Sequence, residues 1–369
     1  MMLVSDRLAA ELADLNAEQL AAVLHEGDAV LSAGPGSGKT RTLVARAAYL
    51  LEAELSPFRG VACLTYTNAA ADEIGRRVST LGAHTSRRFS CSTVHAFCRN
   101  EILGAYAALT GYPAPSTASV LGESGQQKLL QWCFDELGIA DLDAKFRTAA
   151  SNKIRRAIAC DEDLAGFDQR EVAAAHLYEA ELFGRGKTDF EAMVVGAVGI
   201  VNSFPSVRDL LSSKFPYLLV DEYQDMGGVL HKLVVTLHDA AGISVLAVGD
   251  GDQSVFGFSG ADPRYLNELR QRVDFTDFPL TTNYRSGQDI IQAAEAALGI
   301  ARGRKAREGA PAGNIEIINA EGGLDEHANA AVEIVAEAVD AGVRYEQIAV
   351  LYPARGPVLD HLLAALGAC

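Results

Sequence analysis

A glycine-rich loop near the N-terminus constrains the fold more than any other segment. The apolar run at 29–33 is followed by residues 34–40 (GPGSGKT) and then by a helix-forming segment, 41–54. A strand, a glycine-rich loop and a helix in this order are the context that a phosphate-binding loop requires. Glycines let backbone N–H groups surround phosphate oxygens, and the helix N-terminus adds the positive end of its dipole. The segment predicts a nucleotide site in an α/β fold.

The last two residues of this loop have side chains that suit nucleotide chemistry. We expect Lys39 to reach the β- and γ-phosphates and the Thr40 hydroxyl to ligate Mg²⁺. The strict pattern begins with glycine, where this chain has Ala33. This is a mild departure, because the later glycines make the close approach to phosphate. A flexible connector is the alternative interpretation, and the Gly-Lys-Thr ending disfavours it.

A second apolar run is predicted to bring two carboxylates to the same site. The run at 216–220 ends abruptly in Asp221 and Glu222. In an open α/β sheet, ligands bind beyond the carboxyl ends of the strands. Two acids at that edge suit a divalent metal and a water molecule that must be activated. Alone, the segment would be interpreted as a strand followed by a solvated acidic turn. With the phosphate loop, it completes a nucleotide hydrolase signature.

Composition and charge restrict the class of protein. The chain has 369 residues, enough for two or three domains. It has no apolar run of membrane-spanning length and no signal-peptide layout, so we expect a cytoplasmic protein with no membrane partner. Its six cysteines lack zinc-binding spacing and are interpreted as reduced packing residues. A net charge of −16 means that any nucleic-acid track is a local groove.

Strand–helix alternation is interrupted by a long helical segment. Further apolar runs that indicate strands lie at 61–65, 89–91, 217–220, 243–248 and 275–280. Residues 111–215 show periodic apolar spacing without strong strand runs, which predicts a helical insertion carrying a basic cluster at 153–156. Residues 1–28 predict one helix followed by a turn.

The C-terminal part is predicted to begin a second α/β unit. Residues 302–313 are rich in Arg, Gly and Ala and indicate an exposed basic loop or hinge. The predicted elements beyond it are a strand at 314–320, a helix at 325–341, a strand at 347–352 and a helix at 356–366. A β-α-β-α piece of this size could hardly bury both faces of a parallel sheet. We therefore expect this second domain to be incomplete.

Three further side chains are candidates at the edge of the predicted sheet. Gln253 follows a strand, and its amide could bond a γ-phosphate or the attacking water. Arg285 follows another strand and is a candidate to stabilise γ-phosphate charge, although a surface ion pair is the commoner role for such an arginine. Phe258 lies among small residues, where an aromatic ring could stack on a base or simply pack in the core.

Hydroxyl and amide side chains also stand between predicted strands and helices. These candidates for holding a nucleic-acid backbone are Thr65, Thr67, Asn68, Thr93 and His95. Such groups, together with helix N-termini, can bind phosphates without reading sequence. As isolated segments they would be interpreted as helix N-caps. His95 alone would more often be a structural hydrogen-bonding residue than a catalyst.

In their order along the chain, these segments resemble the motifs of superfamily 1A helicases of the UvrD/Rep/PcrA type. Residues 15–19 (LNAEQ) are similar to the Q motif, 33–40 to motif I, 65–73 to motif Ia, 92–95 to motif Ib, 221–225 (DEYQD) to motif II, 249–261 to motif III and 280–286 to motif IV. The resemblance implies a RecA-like P-loop NTPase with a parallel sheet, a helical insertion and a partial second RecA-like domain. It covers residues 15–286 and is highly specific.

The resemblance also implies residue roles. It places nucleotide contacts at Gln19, which would read adenine, and at Gly34, Gly36, Ser37, Gly38, Lys39, Thr40 and Arg41. It implies Mg²⁺ ligation by Thr40 and Asp221, and catalysis by Glu222, Gln253, Arg285 and Lys39, with Gln224 coupling to DNA. It implies DNA contacts by Thr65, Thr67, Asn68, Thr93, His95 and Phe258.

Departures from the family pattern weaken part of this picture. Ala69 and Ser259 stand where the family commonly has Lys and Arg, so two positive charges are lost from the presumed DNA track. We expect no 2B insertion and no motif V or VI. The resemblance implies domain 1A at 1–97 and 200–286, a 1B insertion at 98–199 and a partial domain 2A at 287–369.

The function implied is an ATP- and Mg²⁺-dependent DNA helicase or translocase that moves 3′ to 5′ on single-stranded DNA. Its DNA partner would be a single strand or a single/double-strand junction, and a protein supplying the 2A/2B segment is a further candidate partner. A non-motor ATP-binding subunit or regulatory module of a DNA repair or defence complex is the alternative. A metabolic P-loop kinase is disfavoured by Gln19, Gln253 and Arg285.

Overall fold

The computed structural model describes residues 4–82, 88–112, 120–253, 262–352 and 356–367. The chain divides into two compact units between Pro311 and Ala312. The division expected from the family resemblance lies earlier, at residue 287. The three domain assignments remain predictions.

The first unit is built on a six-stranded sheet in which every pairing is parallel. Its strands are β1 Asp28–Ala33, β2 Val61–Thr65, β3 Phe89–Thr93, β4 Tyr217–Val220, β5 Ser244–Gly249 and β6 Phe275–Leu280. They lie in the order β3-β2-β4-β5-β1-β6, so the carboxyl ends of β4, β5 and β1 are neighbours. Pro279 is accommodated because β6 is an edge strand. The predicted RecA-like α/β fold is confirmed.

Helices connect the strands and form the insertion. Those of the first unit are α1 Asp6–Asp14, α2 Ala17–Leu24, α3 Lys39–Tyr49, α4 Asn68–Thr80, α5 Val94–Phe97, α6 Gly104–Thr110, α7 Glu123–Glu136, α8 Ala144–Ala159, α9 Gln169–Gly184, α10 Phe190–Ser203, α11 Pro205–Lys214, α12 Gly228–Ala241, α13 Arg264–Gln271 and α14 Gln288–Leu298. Single π-helical turns at Leu50–Glu54 and Cys98–Leu103 follow α3 and α5, and a 3₁₀ turn at Tyr223–Asp225 follows β4.

Alternating side chains of the strands enter two separate cores. In β4, Leu218 and Val220 pack into one core, while Leu219 packs into the other. Val30 and Leu31 of β1 divide in the same way. This alternation follows from strand geometry, in which successive side chains point to opposite faces. The sheet is therefore covered on both faces, as parallel sheets require.

The single N-terminal helix predicted for residues 1–28 is wrong, because the structure has two helices, α1 and α2. The first ends at Asp14, and Asn16 caps the second. Its side chain accepts a hydrogen bond from the Gln19 N–H at 2.8 Å, and the Gln19 side chain accepts from the Asn16 N–H at 3.2 Å. This reciprocal pair is a capping box, which starts a new helix at this point.

The segment 302–313 is not simply an exposed loop. Lys305–Ala306 forms a short strand, β8, which pairs in parallel with β7 at Thr282–Asn283. The Lys305 N–H donates to the Thr281 carbonyl at 2.9 Å. The basic residues are therefore anchored beside the segment similar to motif IV, a pairing that periodicity cannot reveal in strands this short.

In the second unit the predicted helices are confirmed and the predicted strands are wrong. Helices α15 Leu324–Asp340 and α16 Pro357–Gly367 pack together, and a 3₁₀ turn lies at Tyr345–Gln347. Residues 314–320 and 348–352 form no strand pairing with any described residue. A strand is stable only when paired, so an apolar run without a neighbouring strand stays irregular.

The basic cluster at 153–156 is occupied by internal contacts. Arg155 is buried and forms two hydrogen bonds of 2.9 Å to Asp189. Arg156 pairs with Glu191 at 2.6 Å, and Lys153 lies over the ring of Phe167 at 5.7 Å. The cluster therefore organises the insertion, and two of its cations are neutralised within it.

Among the described residues, no single helix is both long and apolar enough to cross a membrane. The bent pair Phe190–Ser203 and Pro205–Lys214 meets the length and composition criteria only when taken together.

A histidine at the end of α12 makes stability depend on pH. His238 lies 3.1 Å from Asp28 and 2.7 Å from Asp239. Asp274 lies 3.8 Å away, and Arg272 approaches within 3.4 Å while it pairs with Asp239 and Asp274. Burial alone lowers the pKa of His238, but the hydrogen bonds to Asp239 and Asp28 outweigh burial, so its pKa is raised.

A raised pKa in the folded state means that the protonated ring stabilises the fold. This contribution is complete below the unfolded-state pKa and is lost as pH rises through the folded-state pKa. We expect the difference in free energy of unfolding between wild type and His238→Gln to shrink from about pH 6 to about pH 8. Urea unfolding at a series of pH values measures it. A difference that stays constant or grows over this range would contradict the assignment.

Candidate nucleotide site

The phosphate loop joins β1 to α3 and has two glycines in left-handed conformations. Gly36 has φ 77° and Gly38, which caps α3, has φ 88°. A Cβ at Gly36 would lie 2.6 Å from Cβ of Arg285, and one at Gly38 would lie 2.6 Å from Nε2 of Gln19. Both positions therefore require glycine, because the conformation and the neighbouring atoms exclude a side chain.

Carbonyl groups of the loop are held by side chains and backbone from two other segments. The Asn283 amide donates to the Pro35 carbonyl at 2.9 Å, and the Tyr284 N–H donates to the Gly36 carbonyl at 2.7 Å. On the other side, Nε2 of Gln19 donates to the Ser37 carbonyl at 3.1 Å. The loop is thus shaped before a nucleotide binds, which reduces the ordering cost of binding.

Asp221 follows β4 and is a buried acid at this edge. Its backbone N–H donates to the Leu64 carbonyl at 2.8 Å, whereas its buried Oδ1 has no hydrogen-bond partner among the described residues. Burial, with a smaller contribution from the negative charge of Glu222 and against the charge of Lys39, raises the pKa of Asp221 to about 6. A buried carboxylate oxygen without a partner suits a hard divalent cation, and Thr40 lines the same cavity.

Glu222 adopts a backbone conformation that is rare for a residue with a side chain. Its φ is 50° and its ψ 49°, in the left-handed region. Its Oε2 accepts hydrogen bonds from Nζ of Lys39 at 3.1 Å and from Nε2 of Gln224 at 2.8 Å. Such strain often marks a functional site. The Glu222 side chain is held in this position by Lys39 and Gln224.

Gln224 connects Glu222 to the end of β5. While its Nε2 donates to Glu222, its Oε1 accepts from the Asp250 N–H at 3.0 Å. Gln224 and Asp250 are both buried. The acidic turn after β4 and the turn after β5 are therefore joined by one side-chain amide.

A single cavity of about 470 Å³ brings together most of the predicted reactive groups. Its lining includes Thr40, Thr65, Thr67, Asp221, Glu222, Gln224 and Gln253. The predicted metal ligands, two predicted catalytic residues and two predicted DNA contacts thus face one space at the carboxyl edge of the sheet. This is the edge at which open α/β sheets bind ligands.

Comparison with known proteins decides the family. The family model for the UvrD/REP helicase N-terminal domain matches residues 15–274. The chain belongs to the UvrD/Rep helicase family.

Named relatives agree with this assignment. ATP-dependent DNA helicase UvrD1 of Mycobacterium leprae is 33% identical over 380 aligned residues, covering 95% of this chain and 48% of the relative. UvrD1 of Mycobacterium tuberculosis (strain ATCC 25618 / H37Rv) is 32% identical over 92% of this chain and 46% of the relative. ATP-dependent DNA helicase PcrA of Staphylococcus epidermidis (strain ATCC 12228 / FDA PCI 1200) is 31% identical over 77% and 40%. The chain thus spans about half the length of these relatives or less.

Some residues with a predicted role are engaged elsewhere in the structure. Arg41 pairs with Glu11 at 2.5 Å and Asp14 at 2.6 Å, so its nucleotide contact would require it to leave α1. Both amide atoms of Gln19 bond protein groups. Arg285 is exposed; its Cβ lies beside Gly36, and its backbone N–H donates to Oδ1 of Asn283 at 2.8 Å. The predicted calls on Phe258 and Ser259 lie outside the described residues.

Residues predicted to contact DNA also serve as helix caps. The Thr67 hydroxyl accepts from the Ala70 N–H at 3.1 Å, and the Thr93 hydroxyl accepts from the Ala96 N–H at 3.3 Å. Asn68 begins α4, and Thr65 is buried. The capping interpretation is thus satisfied for both threonines, and their DNA contacts stay predictions.

His95 lies in a second cavity, of about 610 Å³, between the sheet edge and the helical insertion. Its ring packs edge-on against Phe190 at 5.2 Å between centroids. Tyr66 and Arg156 line the same cavity. The insertion therefore provides one wall of a space that opens beside motifs Ia and Ib.

Sequence reasoning missed several residues of the site. Asn283 and Tyr284 hold the phosphate loop, and the Tyr284 hydroxyl accepts from the Asn16 amide at 2.8 Å. Their position within residues 280–286, the segment similar to motif IV, is the sequence signal that could have identified them. Arg304 pairs with Asp250 at 3.2 Å and lies outside every motif. No local pattern marks it, because its partner is 54 residues away in sequence.

Proposed function

We propose that this chain is the nucleotide-binding part of an ATP-dependent DNA helicase or translocase, binding ATP with Mg²⁺ at the phosphate loop. The observation that carries the proposal is the meeting of Lys39 and Glu222 at 3.1 Å, next to Asp221, whose buried Oδ1 has no hydrogen-bond partner in the described part of the chain. Lys39 is the cation that the phosphates would engage, and its movement to them would release the Glu222 carboxylate.

Each side chain then has a distinct part in hydrolysis. Thr40 and Asp221 would hold Mg²⁺, which when bound neutralises phosphate charge and polarises the γ-phosphoryl group. Glu222 accepts a proton from the attacking water as the bond between the γ-phosphorus and the ADP oxygen breaks. Gln253 orients the water, and Arg285 stabilises the charge that develops on the γ-phosphoryl oxygens.

The nucleobase would lie where α2 meets motif IV. Gln19 is buried against the loop, and the half-exposed ring of Tyr284 lies beside Asn16, at the start of the same helix. An aromatic face and an amide together suit a purine ring and its polar edge. We propose that adenine binds between Gln19 and Tyr284. On nucleotide binding, Arg41 would break its ion pair with Glu11 and contact the base.

Coupling to DNA is supported by shared walls between the two cavities. Thr65 and Tyr66 line both the cavity that holds Glu222 and the cavity that holds His95. A strand bound across motifs Ia and Ib would therefore touch residues adjacent to the nucleotide site. We propose single-stranded DNA, or a single/double-strand junction, as the DNA partner, translocation in the 3′ to 5′ direction and a cytoplasmic place of action.

The second unit favours a role for a protein partner. Residues 314–320 and 348–352 are unpaired among the described residues, and Ile315, Ile317 and Leu351 are exposed. We propose domains 1A, 1B and a partial 2A with the boundaries predicted from the sequence, and a partner polypeptide that completes the sheet of 2A. The same observation keeps open the second candidate function, a non-motor ATP-binding or regulatory module of a repair or defence complex.

Steady-state ATP hydrolysis with and without single-stranded DNA tests the proposal. We expect turnover that rises when DNA is added and disappears in Lys39→Ala, because the phosphates lose their principal cation. Turnover that persists in Lys39→Ala would contradict the site. Binding of ATP without DNA-stimulated hydrolysis would favour the non-motor module, and turnover comparable to a complete helicase would contradict the need for a partner.

A further inference from the structure

Arg304 lies at the nucleotide site although it stands outside the family motifs discussed above. Its guanidinium lies 3.2 Å and 3.4 Å from the two carboxylate oxygens of Asp250 and 3.5 Å from Asp252. The Arg304 side chain is 17% exposed and that of Asp250 is 3% exposed. A buried carboxylate requires a compensating cation. Within the described ranges, Arg304 is the cation paired with Asp250.

The same guanidinium packs against the phosphate loop. A Cβ at Gly34 would lie 2.5 Å from Cζ of Arg304, so the planar group rests on the first glycine of the loop. Arg285 approaches the loop from another position, beside Gly36. Arg304 thus lies against Gly34 of motif I and pairs with Asp250 of motif III.

A continuous set of hydrogen bonds leads from Arg304 to the proposed general base. Arg304 holds the Asp250 carboxylate, and the Asp250 N–H donates to Oε1 of Gln224 at 3.0 Å. This acceptor contact fixes the orientation of the amide, so Nε2 of Gln224 faces Glu222 and donates at 2.8 Å. If Asp250 moves, the amide loses the contact that orients it.

Arg304 itself is held in place by the segment that follows motif IV. Its carbonyl accepts from Nε2 of Gln288 at 3.4 Å, and the N–H of Ala306, two residues later, donates to Oε1 of Gln288 at 2.9 Å. Strand β8 pairs with β7, and the side-chain amide of Asn283 in β7 donates a hydrogen bond to the Pro35 carbonyl. Arg304 therefore directly precedes a strand, β8, whose partner strand β7 contacts the phosphate loop.

We propose that Arg304 is a positioning residue of the nucleotide site, which holds Asp250 and, through Gln224, aims Glu222 at the attacking water. The proposal rests on the proposed ATP hydrolysis for its consequence, but the positioning can be measured without nucleotide. Arg304 acts through other residues, so we expect it to affect the cleavage step more than the affinity for ATP.

Arg302 provides a matched control. It lies two residues away, carries the same charge and pairs with Asp252 at 2.6 Å, but its side chain is 47% exposed. Among the described residues, its guanidinium forms no hydrogen bond or ion pair with Asp250. Arg302→Gln therefore removes an arginine from the same segment and leaves the connection to Glu222 intact. Arg304→Lys keeps the charge and tests rescue.

The first experiment is hydrogen–deuterium exchange of the nucleotide-free protein. In Arg304→Gln we expect peptides covering 221–225 and 249–253 to exchange about tenfold faster, with peptides of β2 unchanged, because only the local contacts are lost. Arg302→Gln should match wild type, and Arg304→Lys should lie between. Faster exchange throughout the sheet, or no difference between the two glutamine variants, would overturn the positioning role.

The second experiment is single-turnover ATP cleavage with enzyme in excess, beside ATP affinity measured by titration. We expect Arg304→Gln to cleave about tenfold more slowly with affinity within about threefold of wild type. Equal losses in rate and affinity, or a loss matched by Arg302→Gln, would overturn the proposal. Absence of cleavage in wild type would contradict the proposed function instead, and the exchange experiment would still decide the role of Arg304.

Discussion

Replacing Glu222 by glutamine is expected to slow ATP cleavage by about 10²–10⁴-fold while ATP binding persists. The substitution keeps the shape of the side chain and its ability to bond Lys39 and Gln224, but removes the group that we propose accepts a proton from water. The left-handed backbone at Glu222 directs this carboxylate into the cavity lined by Thr40 and Gln253. Single-turnover cleavage and ATP titration measure the two effects separately.

Glu73→Gln is the matched control for that experiment. Glu73 lines the same cavity, but its carboxylate is paired with Arg76 and Arg77, each at 2.6 Å. We expect this variant to cleave ATP like wild type. If Glu222→Gln retained cleavage, or if both variants lost it equally, Glu222 would not be the general base.

Replacing Arg155 by methionine is expected to lower the free energy of unfolding by about 3–5 kcal/mol, because a buried charge loses its partner. The side chains of Arg155 and Asp189 are 1% and 0% exposed. Arg155 also bonds Glu179 at 2.6 Å, and Asp189 accepts from the Tyr178 hydroxyl at 2.9 Å. Burial alone would raise the pKa of Asp189, but Arg155 and the other donors hold it below its usual value. Urea unfolding followed by circular dichroism measures the loss.

Two further variants show whether the loss comes from the unpaired carboxylate. Arg185→Met removes a surface arginine that pairs with Glu181, and we expect a change of at most about 1 kcal/mol. Adding Asp189→Asn to Arg155→Met should recover part of the stability, because asparagine keeps the N-cap without the charge. A loss for Arg155→Met no larger than for Arg185→Met would contradict this account of the insertion.

The elements that local pattern could predict are those whose apolar residues face a core on both sides. Strands β1, β2 and β4 are continuous apolar runs bounded by polar residues, so their positions were predicted to within a residue. The break between α1 and α2 depends on one capping pair, Asn16 and Gln19, within an otherwise helical pattern. The apolar runs at 314–320 and 347–352 have the composition of strands but pair with no strand within the described ranges, and pairing depends on the whole fold.

The site shows the same division between local and distant information. Lys39, Thr40, Asp221 and Glu222 follow predicted strands, and parallel strands bring their carboxyl ends together, so their proximity followed from topology. Arg304 reaches Asp250 because the pairing of β8 with β7 brings residues 302–306 back to the edge of the main sheet. No periodic pattern in the sequence predicts this strand pairing. The basic, glycine-rich composition of residues 302–313 indicates an exposed loop or hinge instead.

Titration of the wild-type protein with ATP, with and without Mg²⁺, tests the central claim most directly. We predict saturable binding of one ATP per chain that weakens when Mg²⁺ is removed, because Asp221 and Thr40 would hold the cation, and that is lost in Lys39→Ala. Isothermal titration calorimetry gives both the stoichiometry and the affinity. Absence of saturable binding by wild type, or binding that Lys39→Ala leaves unchanged, would contradict the claim that these residues form a nucleotide site.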